Sequence, residues 1–215
     1  MDSFFPVLGA DLSAPDKWTV ARVKFREDVV AALAEQLVDE WLNRQGFFTI
    51  RGVKQGVHEI DLLGIRPSKN GTHQLEAWHV EVQISFNPVS YISKLSPAQI
   101  EELGAKSKNS SKKRSSTFLE KTVAHWVLGK FKSLRKQQMR EGCWPGLDWK
   151  PYLVHAKAKH PEELELIARQ GIMLIEFSQV LKDLRDIEAL YKGNSGTDIV
   201  DIISYFGELN AGVLS

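Results

Sequence analysis

Cysteine is almost absent: Cys143 stands alone among 215 residues. A lone cysteine excludes an intrachain disulfide and a cysteine-built zinc cluster, and it fits a reducing compartment, so a cytoplasmic protein is expected. Long apolar runs are missing as well, which leaves no candidate for a membrane-spanning helix. Met1 to Ala10 has no basic region ahead of an apolar stretch, so no secretory leader is expected. The histidines do not replace the missing cysteines. His58, His73, His79, His125, His155 and His160 include no i, i+4 pair, and no zinc site is expected from them. No internal repeat is present. Net charge is also small, at +1, but it is unevenly divided. From Lys106 to Arg140 there are eleven basic residues and a single acid, Glu120. That segment carries +10 against +1 for the whole chain, so the remainder carries −9. Such a division points to a polyanionic partner for one surface.

What the chain does have is a pair of strands with acids inside apolar context. These are Val57-His58-Glu59-Ile60-Asp61-Leu62-Leu63-Gly64-Ile65 and Ala77-Trp78-His79-Val80-Glu81-Val82-Gln83-Ile84-Ser85. A period of two puts Ile60 with Leu62, and Glu59 with Asp61 and Leu63. In the second strand it puts Val80, Val82 and Ile84 on one side, and Glu81 and Gln83 on the other. Pro67-Ser68-Lys69-Asn70-Gly71 suits a hairpin turn. Pairing the two strands brings Asp61 beside Glu81. Two close carboxylates repel unless a cation lies between them or one is protonated. Hard oxygen donors of this kind select Mg²⁺ or Mn²⁺. A solvated sheet face is the alternative, and it suits Glu59. It suits Asp61 and Glu81 less, because an unpaired charge in a strongly apolar strand is costly.

The surrounding pattern reads as one α/β domain, a central mixed β-sheet flanked by helices. Residues 1–18 form an irregular arm and 19–192 the domain, with a basic insertion at 86–116. Residues 193–215 form a C-terminal helix, over 197–206, and a tail. A first helix runs from Thr19 or Glu27 to Gln45, with Val30, Leu33, Leu37 and Trp41 on its inner stripe and Glu35 at the stripe's edge. Phe47 to Lys54 is a strand, followed by the two acidic strands. Ser96-Pro97-Ala98-Gln99 opens a short helix through a capping box. Residues 106–116 are basic, small and polar, expected to be mobile or exposed and to flank the acidic centre. A second capping box at Thr117 to Glu120 opens one helix through Glu141. Tyr152 to Ala158 is a fourth strand, and a helix from His160-Pro161 follows. Ile172 to Phe177 is a fifth strand, apolar enough to be interior, and Ser178 caps a helix to Lys192. Trp126 and Trp144 could stack on bases, although core positions are the commoner role for such residues.

Taken in order, Glu35, Gly46-Phe47, Glu59-Ile60-Asp61 and Glu81-Val82-Gln83 resemble the PD-(D/E)XK nuclease superfamily, over about residues 30–85. The resemblance implies a restriction-endonuclease-like core (αβββαβ) with C-terminal helical additions. It implies that Asp61 and Glu81 bind a metal, that the Val82 carbonyl is a third ligand, and that Glu35 orients metal-bound water. Gln83 stands where lysine is usual. A glutamine can hold a water but has no titratable proton at neutral pH. Either the metal alone acidifies the water, or another lysine substitutes, with Lys121 the first candidate and Lys54 the second, or the site binds without cutting. The expected activity is that of a Mg²⁺- or Mn²⁺-dependent endonuclease with Glu35, Asp61, Glu81 and Gln83 as catalytic residues. DNA is the expected partner and RNA the alternative, with Lys106, Lys108, Lys112, Lys113, Arg114 and Lys121 contacting phosphates. A catalytically inactive nucleic-acid-binding module on the same fold is the rival expectation. A homodimer is compatible with the sequence.

Overall fold

The computed structural model describes residues 17–68, 74–85 and 90–188. Helix α1 (Lys17–Arg44) leads into strands β1 (Phe48–Gln55), β2 (His58–Pro67) and β3 (Leu75–Gln83). Helix α2 (Pro97–Glu102), helix α3 (Ser116–Val127), a π turn (Leu128–Lys132) and helix α4 (Leu134–Cys143) follow. Strand β4 (Trp149–His155), helix α5 (Pro161–Arg169), strand β5 (Met173–Glu176) and helix α6 (Phe177–Glu188) complete the described chain. The expected arm, hairpin turn and last helix fall largely or wholly outside these residues.

The sheet order is β1-β2-β3-β4-β5. The first three strands are antiparallel, and β3, β4 and β5 run parallel. This is the mixed α/β sheet expected, with two corrections. Strand β5 lies at an edge of the sheet and its residues are only partly covered. The apolarity of Ile172 to Phe177 reflects helical cover on both faces, Ile172 and Leu174 on one and Ile175 and Phe177 on the other, and not a central place. The single helix expected from Thr117 to Glu141 is three pieces. Its cap is Ser115, whose hydroxyl accepts from the Phe118 amide, so Thr117 lies inside the helix. Ser133 interrupts it again at φ −62° and ψ 148°, and caps α4 by accepting from the Lys136 amide.

Two layers of helix cover the sheet. Leu37, Val38, Trp41 and Leu42 of α1 pack with Leu62, Trp78, Val80 and Val154, and with Val180 and Leu184 of α6. Leu33, at 39% exposure, is outside this contact because the stripe centres on its neighbours. On the other face Leu119, Val123, Trp126, Val127 and Phe131 pack with Leu153 and Ile167. Neighbouring Leu153 and Val154 thus mark opposite faces. Trp126 is a core residue; Trp144 is exposed. Helix α1 stops at Gly46 (φ +85°), where the Phe47 amide returns to the Leu42 carbonyl.

One irregularity matters to everything that follows. Between the pairs Arg51↔Leu62 and Val53↔Ile60, Gly52 takes φ +61° opposite Asp61. The β2–β3 pairing runs from Pro67↔Leu75 to Leu62↔Val80, short of Asp61. The kink overturns the simple period of two. Ile60 packs with Leu63 against Met139, whereas Leu62 faces α1. A left-handed residue in one strand rotates the chain beyond it, and only glycine adopts it cheaply.

Candidate functional site

The site lies where β2 and β3 part. Asp61, freed from the ladder, accepts a 2.8 Å hydrogen bond from the Val82 amide through Oδ2. No other bond to its carboxylate is made among the described residues. Glu81 is 1% exposed and its carboxylate is fully engaged. Lys130 Nζ lies 2.5 Å from Oε2, Lys136 Nζ 2.6 Å from Oε1, and His79 Nε2 3.1 Å from Oε1. Lys136 Nζ also donates to the Glu59 carbonyl.

The arrangement fixes the histidine tautomer. Arg140 Nη1 is 2.9 Å from His79 Nδ1, and a guanidinium can only donate. Nδ1 is therefore the acceptor and Nε2 carries the proton given to Glu81. Burial holds the ring below the usual imidazole range, in keeping with a neutral histidine.

The two acids titrate in opposite directions. Burial, then the charge of Glu81, raises Asp61 to about 7. Burial would raise Glu81 too, but the His79 hydrogen bond and the charge of Lys130 outweigh it and bring the group to about 2. Lys130 is likewise opposed by burial, yet Glu81 and Asp61 hold it above the ordinary lysine range. It stays an ammonium at neutral pH. Glu35 reaches the same neighbourhood from α1. Burial, followed by the charge of Glu59, keeps its carboxyl above the usual range, and Glu81 adds to the effect.

The lysines come from the helical layer. Lys130 sits in the π turn beside Phe131, whose ring packs 5.1 Å from His79. A turn wider than an α-helix's is a recurrent device at functional sites. Lys136 is in the first turn of α4, where no acid offsets the helix dipole. A cation there is disfavoured by the dipole, so the pairing with Glu81 must outweigh it. Neither lysine was among the expected substitutes. Lys121 is exposed on α3, and Lys54 pairs at 3.2 Å with Glu59 on the surface. The signal for Lys130 was its place between Val127 and Phe131 on an apolar face; Lys136 had the weaker one of standing three residues before Met139.

Gln83 occupies the same strand as Glu81, two residues on, and its side chain makes no hydrogen bond among the described residues. The basic segment is less uniform than its composition. Lys106, Lys108, Lys112 and Lys113 are exposed. Lys112 Nζ closes the end of α2, 2.5 Å from the Gly104 carbonyl. Arg114, expected to contact phosphate, is 5% exposed and turned inward, donating to the Ser93 carbonyl at 2.9 Å and lying 3.9 Å over the Tyr91 ring. A flat guanidinium stacks and forks into a polar interior more readily than an ammonium does. Residues 105–115 lack helix and strand between their ends, but they are tied down through Lys108, Lys112 and Arg114.

Among the described residues no three His, Cys, Asp or Glu side chains converge closely enough to hold an ion by themselves. Mg²⁺ does not require three, being held in many sites by one or two carboxylates with water and phosphate oxygens completing the shell. The open oxygen of Asp61 is such a donor. Glu81 can serve only where Lys130 yields, since both its oxygens are taken; the Lys130 side chain is 32% exposed and on a flexible stem. Among the described residues no helix is long and apolar enough to cross a membrane. Comparison with family models, with curated proteins and with solved structures gives no match.

Proposed function

We propose that the chain is a Mg²⁺- or Mn²⁺-dependent endonuclease that hydrolyses DNA phosphodiester bonds on a restriction-endonuclease-like αβββαβ core. One observation carries this reading. A partly buried carboxyl with an open oxygen, Asp61, sits beside a second carboxylate and a charged lysine at the point where two strands separate. Asp61, Glu81 and the Val82 carbonyl would hold the ion. When bound, it would supply Lewis-acid polarisation of a phosphoryl oxygen and a more acidic water. Lys130 takes the part of the lysine that Gln83 replaces. As an ammonium it stabilises charge developing on the phosphoryl oxygens, and it does not take the proton from water. Lys136, His79 and Arg140 hold Glu81 in place. Glu35 and Gln83 order water.

A second reading has its own observation. Both oxygens of Glu81 already meet ammonium groups, which suits a module that binds DNA without cutting it. Incubation of plasmid and short duplex DNA with Mg²⁺ or Mn²⁺ separates the two. The nuclease reading expects cleavage by the wild type and none above background by Asp61→Ala. Gln83→Ala should lose about tenfold at most, because a neutral hydrogen bond is worth roughly 0.5–1.5 kcal/mol. Gln83→Lys should retain or raise the rate. Wild-type protein that leaves linear, branched and single-stranded DNA intact in both ions overturns the enzyme reading for DNA.

A further inference from the structure

Residues 90–95 lie near the acidic centre, and buried groups fix their course. Glu163 of α5 is fully buried and accepts from the Ile92 amide at 2.7 Å, from the Ser93 amide at 2.8 Å and from the Ser93 hydroxyl. Arg114 Nη1 also donates to the Ser93 carbonyl at 2.9 Å and to its Oγ at 3.1 Å. One residue beyond Lys94, the Leu95 amide donates to the Lys108 carbonyl at 3.0 Å. Lys94 therefore projects from backbone pinned on both sides.

Its side chain is half-buried among charges that do not satisfy it. Burial, then the ammoniums of Lys108 and Lys130, press it below the ordinary lysine range, and only Asp61 acts the other way. Among the described residues it has no hydrogen bond or ion pair. Lys130 is already paired with Glu81 at 2.5 Å, and the Glu81 carboxylate is shared with Lys136. The Glu81 carboxylate is thus taken up by Lys130 and Lys136, and Lys94 is left without an anion of its own among the described residues. Glu163 thus answers two amides and a hydroxyl from inside the protein, and it holds Ile92 and Ser93 buried immediately before Lys94.

We propose that Lys94 contacts a backbone phosphate of duplex DNA beside the bond at Asp61, and that the Glu163–Ser93–Arg114 clasp is the positioning device that holds it there. The proposal rests on the nucleic-acid reading above and adds to it a residue and its support. It also links the exposed lysines to the centre, because Lys108 stands beside Lys94 and Lys94 beside Lys130 and Asp61.

The test is fluorescence anisotropy of a labelled duplex across a KCl series without divalent ion, together with single-turnover cleavage in Mg²⁺. The proteins are the full chain and its Lys94→Met, Lys94→Arg, Ser93→Ala and Lys94→Met/Ser93→Ala variants. Lys94→Met should weaken binding roughly tenfold, as for one charged hydrogen bond. It should also flatten the slope of log K against log salt by about 0.9, the value of one released counterion on duplex DNA. Lys94→Arg should restore both. Ser93→Ala should weaken binding less, and should add nothing in the Lys94→Met background, since a positioning residue acts through the one it positions. If the wild type binds and cuts while Lys94→Met keeps its affinity and slope, the Lys94 assignment alone is overturned. Equal losses from Ser93→Ala in both backgrounds make the clasp merely structural and overturn that half. If the wild type binds without cutting, the enzyme reading falls and the salt slope still decides Lys94. A wild type that neither binds nor cuts overturns both.

Discussion

Asp61 and Glu81 show how one site can set two identical functional groups apart. Glu81 is lowered to about 2. Its pairing therefore contributes stability above the ordinary glutamate range, and that contribution is lost as pH falls toward 2. Asp61 is raised to about 7, so the folded protein takes up a proton there between about 4 and 7 that the unfolded chain does not. Its effect has the opposite sign: the fold loses stability as pH rises through that window, and above it the partly buried charge remains a penalty. Asp61→Asn should then stabilise the protein at pH 8, since an amide oxygen can still accept from the Val82 amide. The gain should be on the order of 2 kcal/mol, discounted for solvent and coupling, or roughly 4–8 °C in Tm by calorimetry. Loss of the difference at pH 4 would confirm its origin, and an unchanged melting temperature at pH 8 would refute it. The acids were legible in the sequence because their apolar flanks mark them, although the kink opposite Asp61 breaks the strand parity there. Their cations were not. A lysine on an amphipathic helix reads as solvated unless it is known which strand the helix covers.

At the scale of elements, the helical layer departs most from its pattern. A continuous 3.6-residue period through Thr117 to Glu141 hides the break at Ser133, because serine is tolerated inside a helix and reveals itself as a cap only when the backbone turns. The break sets the direction of α4 and so the approach of Lys136. Ser133→Ala should cost about 1 kcal/mol, seen as a fall of about 2–4 °C in Tm. If the helix were instead continuous in solution, alanine would stabilise it, and a rise in Tm would contradict the break. The strand elements were easier to read: β1, β2 and β3 are joined locally and their acids and turns announce them. The fault there was the parity of Ile60, because Gly52 in the neighbouring strand carries the kink and nothing in β2 itself does. Arg114 was misread for a related reason. Composition placed it with exposed lysines, whereas its partners, Ser93 and Tyr91, are distant in sequence.

At the scale of the whole molecule, the site joins carboxylates from one part of the chain to ammoniums from another. Helix α1 and strands β1 to β3 supply the carboxylates, and the crossover between Gln83 and Trp149 supplies Lys94, Lys130 and Lys136. The α/β class was legible because each strand and helix has its own period. The partition of helices between the two faces was not, since it depends on pairing between β3 and β4, which are far apart in the chain. That parallel pairing has a consequence in time. Hairpins close quickly, while a parallel pair must wait for its long loop to be drawn in. The carboxylates should therefore meet first, in a nascent antiparallel sheet open to water, and the ammoniums should reach them late. A contact made after the rate-limiting step changes the rate of unfolding and leaves refolding nearly untouched. In stopped-flow chevrons, Lys136→Met should speed unfolding by an amount on the order of 3 kcal/mol, as for a broken buried pair, with little change in the refolding limb. A slowed refolding limb would place Lys136 in the nucleus instead. On this order of events the centre is sealed by its own cations as the last act of folding.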